Sequence, residues 1–183
     1  MAVDSRAQRP PAPSQAEDGA GRVADTDFDG LYERYASRAL KLAGLLCGHR
    51  EQAEDAVADA FLKVLPKWRS STIEEFWPYL RTAVVNELRG GQRRAATAVR
   101  WRHRTHQTAS EAEADSRVVE RARVSAALRQ LPDRQRTAVV LRYFEDLSEQ
   151  ETAGVMGCAV GTVKSTTARG AARLRALLSE EDR

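Results

Sequence analysis

The stretch LSEQETAGVMGCAVGTVKSTTARG, residues 147–170, predicts two short helices joined by a tight turn. Ser148 and Glu151 have the S-x-x-E spacing of a capping box, which marks the start of a helix. Gly157 is placed to end that helix in the left-handed conformation that glycine tolerates best. Ala153 supplies a small residue where the two helices would cross. This order of residues is typical of a helix-turn-helix unit.

The second helix of this stretch has two unlike faces. At about 100° per residue, one side collects the positions that we expect to be buried, namely Val160, Val163, Thr167, Gly170, Leu174 and Leu177. The other side collects Gly161, Lys164, Ser165, Ala168, Arg169 and Ala172. Small residues let the backbone approach a partner closely, and the cations can reach phosphates or the edge of guanine, as in a helix that enters the major groove of DNA. An ordinary amphipathic helix with a solvated basic face has the same spacing, so the pattern alone leaves both interpretations open.

Three more helices are predicted in the first half of the chain from apolar residues at helical spacing. The first starts near Phe28 and stops at Gly48. The second has one unbroken apolar stripe and is expected to end at Pro66; the stripe consists of Ala53, Ala56, Val57, Ala60, Phe61, Val64 and Leu65. The third starts near Pro78, a residue suited to a first helical turn, and buries Leu80, Val84 and Leu88.

The segments between and before these helices differ in composition. The first 25 residues are rich in Pro, Gly, Ala and Ser and are predicted to form a disordered tail. Residues 89–106 carry many arginines and no acid, and the acidic residues 111–115 reverse the sign. Helical periodicity resumes around Val118, and no segment shows strand alternation. The fold class expected is therefore all-α, with two small helical domains joined by a charged flexible linker.

Whole-chain composition excludes several classes of protein. Of the 183 residues, 42% are hydrophobic and 30% charged, as in soluble globular proteins, and no apolar run has the length of a membrane span. Cys47 and Cys158 stand alone in the sequence, which favours a reducing cytoplasm. His103 and His106 have no Cys or acidic residue at metal-ligand spacing, so we expect no metal site and no cofactor. No nucleophile–base pair and no Gly-rich phosphate loop is present, so an enzyme is not expected.

Three fragments in order give the chain a family resemblance. They are AEDAVADAFLKV at 53–64, PYLRTAVVNELRGGQRR at 78–94 and LRQLPDRQRTAVVLRYFEDLSEQETAGVMGCAVGTVKS at 128–165. Together they resemble the small, two-domain extracytoplasmic-function (ECF) RNA polymerase sigma factors, of the actinobacterial sigma-E-like type. The resemblance covers nearly everything from about Phe28 to Leu178.

The resemblance implies a division of labour along the chain. After a tail (1–25), a region 2 domain (26–96) would dock on core RNA polymerase and bind the melted −10 element of the promoter. A linker (97–117) would thread toward the RNA exit path, and a region 4 domain (118–180) would place its helix-turn-helix on the −35 element. The implied partners are core polymerase and promoter DNA, with no membrane insertion and no small-molecule substrate. An anti-sigma protein is a common partner in the family, and the sequence does not show whether this chain has one.

Residue roles carry over by position. The implied −35 contacts of the recognition helix are Thr162, Lys164, Ser165, Arg169 and Arg173. The implied contacts to the melted −10 strand are Tyr79, Asn86, Arg89, Arg93 and Arg94. The implied contacts to polymerase are Asp55, Asp59, Phe61 and Lys63. Asn86 matches a position near the family's pocket for an extruded base, where an amide can read the base edge; a helix-end side chain that bonds to backbone is the alternative.

Departures from the family pattern leave the promoter sequence open. Ala58 stands where the family usually has Gln, Gly90 where a second polar reader can occur, and Thr166 where many members have Arg. Two other classes of protein compete with a sigma factor. A stand-alone helix-turn-helix regulator would explain residues 147–170 but would leave the first hundred residues without a role. A helical adaptor protein would not need a one-sided cationic helix.

Overall fold

The computed structural model describes residues 28–70, 75–98 and 116–180, with the side chains of 92–98, 116–118 and 180 excepted. These residues form α1 (Phe28–Cys47), α2 (Arg50–Arg69), α3 (Phe76–Ala98), α4 (Ser116–Arg129), α5 (Asp133–Tyr143), α6 (Glu149–Met156) and α7 (Val160–Glu180). No strand occurs among the described residues, in agreement with the all-α prediction. The predicted tail and residues 99–115 of the predicted linker lie outside the described ranges, as do Trp101, His103 and His106.

Helix ends follow the sequence signals at α1 but not at α2. Gly48 ends α1 with φ 74°, and its N–H donates to the carbonyl of Gly44 at 2.9 Å. The predicted stop at Pro66 is wrong, because α2 continues to Arg69. The extra turn brings Trp68 edge-on to Phe76, with ring centroids 5.2 Å apart, so core packing opposes the helix-breaking tendency of proline. The turn also hydrogen-bonds at its end, where the N–H of Ser70 donates to the Pro66 carbonyl.

The core of α1–α3 is built around Phe61, which is 1% exposed. The rings of Phe28, Tyr32 and Phe76 surround it at centroid distances of 6.2, 5.1 and 6.0 Å. The predicted stripe of α2 is buried up to Val64, with Leu65 half-buried. Helix α3 begins two residues before Pro78, which keeps the proline within the first turn, where its missing N–H does no harm.

The core of α4–α7 is held by close contact between α5 and α7. Leu128, Val139, Leu141 and Val163 are at most 1% exposed. At Gly170, a Cβ would lie 2.8 Å from Val139 Cγ2 and 3.1 Å from the carbonyl oxygen of Gln135. The glycine thus lets α7 approach α5 at a distance that no larger residue permits.

The two helix groups pack against each other. Helix α1 contacts α4 and α5, and α3 contacts α6. The buried apolar residues of both groups form one continuous cluster. At Gly48, a Cβ would collide with the side chain of Arg129 in α4. The sequence predicts two helical groups, but it contains no sign of this contact between them.

Candidate nucleic-acid interface

The helix-turn-helix predicted from residues 147–170 is present as α6, a turn and α7. Both halves of the capping box are formed: the N–H of Glu151 donates to Ser148 Oγ at 3.1 Å, and the N–H of Ser148 donates to Glu151 Oε2 at 2.7 Å. Hydrogen bonding of the Glu151 carboxylate to the Ser148 side chain and to the Ser148 backbone N–H lowers the pKa of the Glu151 carboxyl. Gly157 ends α6 with φ 60° and ψ 48°, and the Cys158 N–H donates to the carbonyl of Ala153 at 3.1 Å. The start, the stop and the turn of the motif are therefore confirmed.

The inner face of α7 agrees with the prediction except at its first residue. Val163, Thr167 and Gly170 are buried, and Leu174 and Leu177 are half-buried. Val160 was expected to be buried and is instead 39% exposed, because it begins the helix before α7 reaches the contact with α5. Thr166, which the helical pattern did not assign to the inner face, is 7% exposed.

The outer face of α7 is exposed along its predicted length. Gly161, Thr162, Lys164, Ser165, Ala168, Arg169, Ala172 and Arg173 are all exposed. Local contacts orient the cations: Lys164 Nζ lies 3.4 Å from Glu149 Oε2 of α6, and Arg169 Nε donates to the carbonyl of Ser165 at 3.1 Å. Ser165 Oγ donates to the carbonyl of Thr162 at 3.2 Å. The structure thus presents the five residues predicted for −35 contact on the solvent side of one helix.

The predicted −10 residues of α3 are not equally accessible. Asn86 is exposed, whereas Tyr79 is half-buried and packs against the core. The Tyr79 hydroxyl accepts a hydrogen bond from Lys67 Nζ at 2.6 Å, and the same Nζ lies 5.3 Å from the ring centroid. Lys67 therefore joins this surface, although the sequence pattern did not single it out. Lys67 follows Pro66, where the sequence predicts the end of the helix, so the pattern assigns it to no helix face.

Arg89 is engaged by the other helix group. Its Nη1 donates at 2.7 Å to the carbonyl of Met156, the last residue of α6. A cation is favourable at a helix C-terminus, where carbonyls lack partners within the helix. The side chains of Arg93 and Arg94 lie outside the described residues.

Of the residues predicted to contact polymerase, three lie on the surface of α2. Asp55 and Asp59 are exposed, and Lys63 is exposed and paired with Glu87 of α3 at 2.5 Å. The prediction of a direct contact by Phe61 is wrong, because Phe61 is a core residue at the centre of the α1–α3 aromatic cluster. The exposed apolar residue on this side is its neighbour Leu62, which is 67% exposed.

Helical spacing could have found Leu62, because it follows Asp55 by seven residues and Asp59 by three. Within the described ranges, no cluster of His, Cys, Asp or Glu could hold a metal ion. No described helix is both long enough and apolar enough to span a bilayer.

Both helix groups match family models of sigma-70 proteins. Sigma-70 region 2 matches residues 31–97, and sigma-70 region 4 matches residues 121–174. The ECF RNA polymerase sigma factor SigM of Mycobacterium tuberculosis is 34% identical over 160 residues, which cover 82% of this chain and 76% of that protein. The RNA polymerase sigma-E factor of Streptomyces antibioticus is 31% identical over 140 residues, which cover 71% and 72% of the two chains.

Solved structures agree with this fold. The sigma factor RpoE of Bartonella quintana, in complex with the anti-sigma factor NepR, superposes with a TM-score of 0.64 and 25% identity. The match covers 84% of this chain and 97% of that chain. CnrH, in complex with the cytosolic domain of CnrY, has the same fold at a TM-score of 0.59 and 23% identity, over 88% and 95% of the two chains. The chain therefore belongs to the extracytoplasmic-function RNA polymerase sigma factors, which direct core polymerase to promoters.

Proposed function

We propose that this sigma factor divides promoter recognition between α7 and α3. The observation that carries the proposal is the exposed face of α7, where Lys164, Ser165 and Arg169 lie together on a helix fixed by a capped turn. A face of this composition fits the major groove, where cations read guanine edges and small residues permit close approach. The −35 element is its target.

Within the α7 face, we assign two kinds of DNA contact. Lys164, Ser165 and Arg169 occupy the middle of the exposed face and read bases. Thr162, in the first turn, and Arg173, at the rim, bind phosphates and so fix the register of the helix on the duplex. The ion pair between Lys164 and Glu149 opens when Lys164 meets DNA, since an exposed pair of this kind contributes only about 1 kcal/mol or less.

The outer side of α3 binds the melted −10 strand in this proposal. Asn86 offers an amide to the edge of an extruded base, and the half-buried Tyr79, which is fixed by Lys67, offers an aromatic surface seven residues earlier on the helix. Arg89, Arg93 and Arg94 continue along the same helix and bind the phosphates of that strand.

We assign polymerase docking to the outer side of α2. Asp55, Asp59 and Lys63 supply charges there, and Leu62 supplies an apolar centre of the kind that protein interfaces bury. The domains proposed are a region 2 domain (26–96) and a region 4 domain (118–180), joined by a linker (97–117) and preceded by a tail (1–25).

The protein acts as an initiation factor in the cytoplasm, without catalysis or a cofactor of its own. An anti-sigma protein is a further proposed partner, since the RpoE structure described above contains one. A groove of about 890 Å³ between α1, α2 and α4, with Leu40, Leu45 and Val124 in its lining, offers an apolar surface for it.

Selection from a random-sequence duplex library tests the proposal against a stand-alone regulator. Purified chain, core polymerase and their mixture would each be used to capture DNA, and the captured sequences compared. We expect enrichment of two spaced motifs only with the mixture, because this chain selects promoters as part of holoenzyme. Enrichment of one duplex motif by the chain alone, unchanged by polymerase, would contradict the proposal and indicate a stand-alone regulator.

A further inference from the structure

Glu145 inserts a carboxylate from one helix group into the other. It follows α5, and its side chain is only 9% exposed. Its Oε2 accepts hydrogen bonds from Arg38 Nη2 and Trp77 Nε1, each at 3.2 Å, and lies 3.9 Å from Arg81 Nη1. Arg38 belongs to α1, and Trp77 and Arg81 belong to α3. We call these three residues the Glu145 socket.

The socket has the construction of an anion site. The Arg81 side chain is 9% exposed, and its Nε has no hydrogen-bond partner within the described residues. Arg38 lies over the Trp77 ring, with Cζ 4.0 Å from the centroid, so the two residues hold each other in place. A buried arginine requires a counter-charge, because an unpaired charge inside a protein is strongly unfavourable. Glu145, which lies 64 positions after Arg81 in the chain, supplies that charge.

A second contact between the helix groups occupies part of the proposed −10 surface. The Arg89 guanidinium is half-buried and donates to the Met156 carbonyl at the end of α6. A phosphate that needs the same Nη1 would compete with this carbonyl. The packing of α6 on α3 therefore keeps Nη1 of Arg89 engaged within the chain.

We propose that Glu145 is an intramolecular latch, which keeps the free chain closed and withholds Arg89 from the −10 strand until the two helix groups separate. The proposal rests on the function proposed above, in which Arg89 binds that strand. Because the carboxylate and its socket belong to one chain, their effective concentration is high, and closure needs no second molecule. The observed affinity for single-stranded DNA is then the affinity of the open chain multiplied by the fraction of time that the chain is open.

Two variants test the latch. Glu145→Gln keeps the size of the side chain and removes its charge. Arg38→Ala removes one socket residue whose side chain is 54% exposed, and the buried carboxylate of Glu145 keeps Arg81 as its counter-charge at 3.9 Å. Glu33→Gln, an exposed position on α1, is the matched control. Spin labels at Ser37→Cys and Gln150→Cys, in a Cys47→Ala and Cys158→Ser background, report the distance between the groups. A dye-labelled pool of random single-stranded DNA reports binding.

We expect longer and broader distances in Glu145→Gln and Arg38→Ala, and DNA binding about tenfold tighter than in the wild type, since opening removes the penalty of an unpopulated competent state. Glu33→Gln should match the wild type in both. Adding Arg89→Ala to Glu145→Gln should abolish the gain in binding. Unchanged distances in both latch variants would overturn the latch, even if promoter capture by holoenzyme succeeds. Longer distances without tighter binding would overturn the masking of Arg89.

The distance measurement is independent of the proposed function. A chain that fails to capture promoters with core polymerase would refute the sigma-factor roles of α3 and α7, while the distances would still decide whether Glu145 holds the groups together.

Discussion

At the scale of single residues, Arg169 of α7 is oriented before DNA arrives. Its Nε donates to the Ser165 carbonyl, whereas Lys164 is paired with Glu149 and leaves that partner when it meets DNA. Ordering of Arg169 reduces the side-chain entropy that binding would otherwise have to remove. Helical periodicity predicts the exposure of both residues, since each lies opposite a buried anchor. It cannot predict that Arg89 is engaged by Met156, because that contact joins residues 67 positions apart.

Replacement of Lys164 or Arg169 by alanine should weaken −35 recognition selectively. Each substitution removes one of the two cations proposed to read bases, and a good base contact corresponds to about 1–3 kcal/mol of discrimination. Binding of each variant holoenzyme to a −35 duplex, followed by fluorescence polarisation, measures the loss. Lys41→Ala, an exposed cation on α1, is the charge-matched control. A variant of α7 that no longer binds core polymerase would contradict the separation of the two roles.

Replacement of Asn86 by alanine should impair promoter opening and leave core binding intact. The side chain is exposed on α3 and adjoins Glu87, whose ion pair with Lys63 fixes this side of the helix on α2. Loss of the amide removes the hydrogen bonds that are proposed to offset part of the cost of extruding a base, which is a few kcal/mol. Permanganate reactivity of thymines around −10 reports opening, with Gln130→Ala as an exposed control. Normal reactivity in Asn86→Ala would remove this residue from the site.

At the scale of helices, start and stop signals predicted the helix-turn-helix well because they act within a few residues of the chain. The capping box and Gly157 are of this kind. Pro66 shows the limit of local signals, since contacts of Trp68 with Phe76 outweigh a proline. Phe61 shows a different limit: helical spacing correctly places it on the buried stripe, whereas the family resemblance implied a polymerase contact that its burial opposes.

The capping box gives α6 a stability that depends on pH. The folded-state pKa of Glu151 is lowered, so its contribution is present above the unfolded pKa and is lost as pH falls through the folded value. Ser148→Ala should destabilise the protein by about 1 kcal/mol at neutral pH, the usual cost of a lost N-cap. Urea unfolding as a function of pH checks both statements. Glu151→Gln should show less loss of stability on acidification than the wild type, and an equal loss would contradict the assignment.

Gly170→Ala tests the contact of α7 with α5. The new Cβ would meet Val139 and the Gln135 carbonyl, so the helices must move apart, at a cost of about 1–3 kcal/mol. Gly154→Ala is the matched control, because a Cβ there meets nothing within 4 Å and alanine favours a helix by roughly 1 kcal/mol. The midpoint of urea unfolding should fall for the first and hold or rise for the second. A Gly170→Ala protein as stable as the wild type would contradict the close packing.

At the scale of the whole molecule, two helical groups and their family could be predicted, but their mutual packing could not. Glu145 lies in a short connection that reads as an ordinary polar loop, and its partner Arg38 is 107 positions away. Arg81 lies on a helix whose sequence pattern gave no reason to expect a buried cation. Contacts of this length depend on the tertiary arrangement, which no local period or motif encodes.

The central claim is that this chain directs core polymerase to promoters through two separate DNA contacts. Run-off transcription tests it most directly, with purified core polymerase, the chain and a pool of genomic fragments from its source. We predict start sites that appear only when the chain is present and that share upstream −35 and −10 sequences. We also predict loss of those starts in a Lys164→Ala, Arg169→Ala double variant. Transcripts identical with and without the chain would contradict the account.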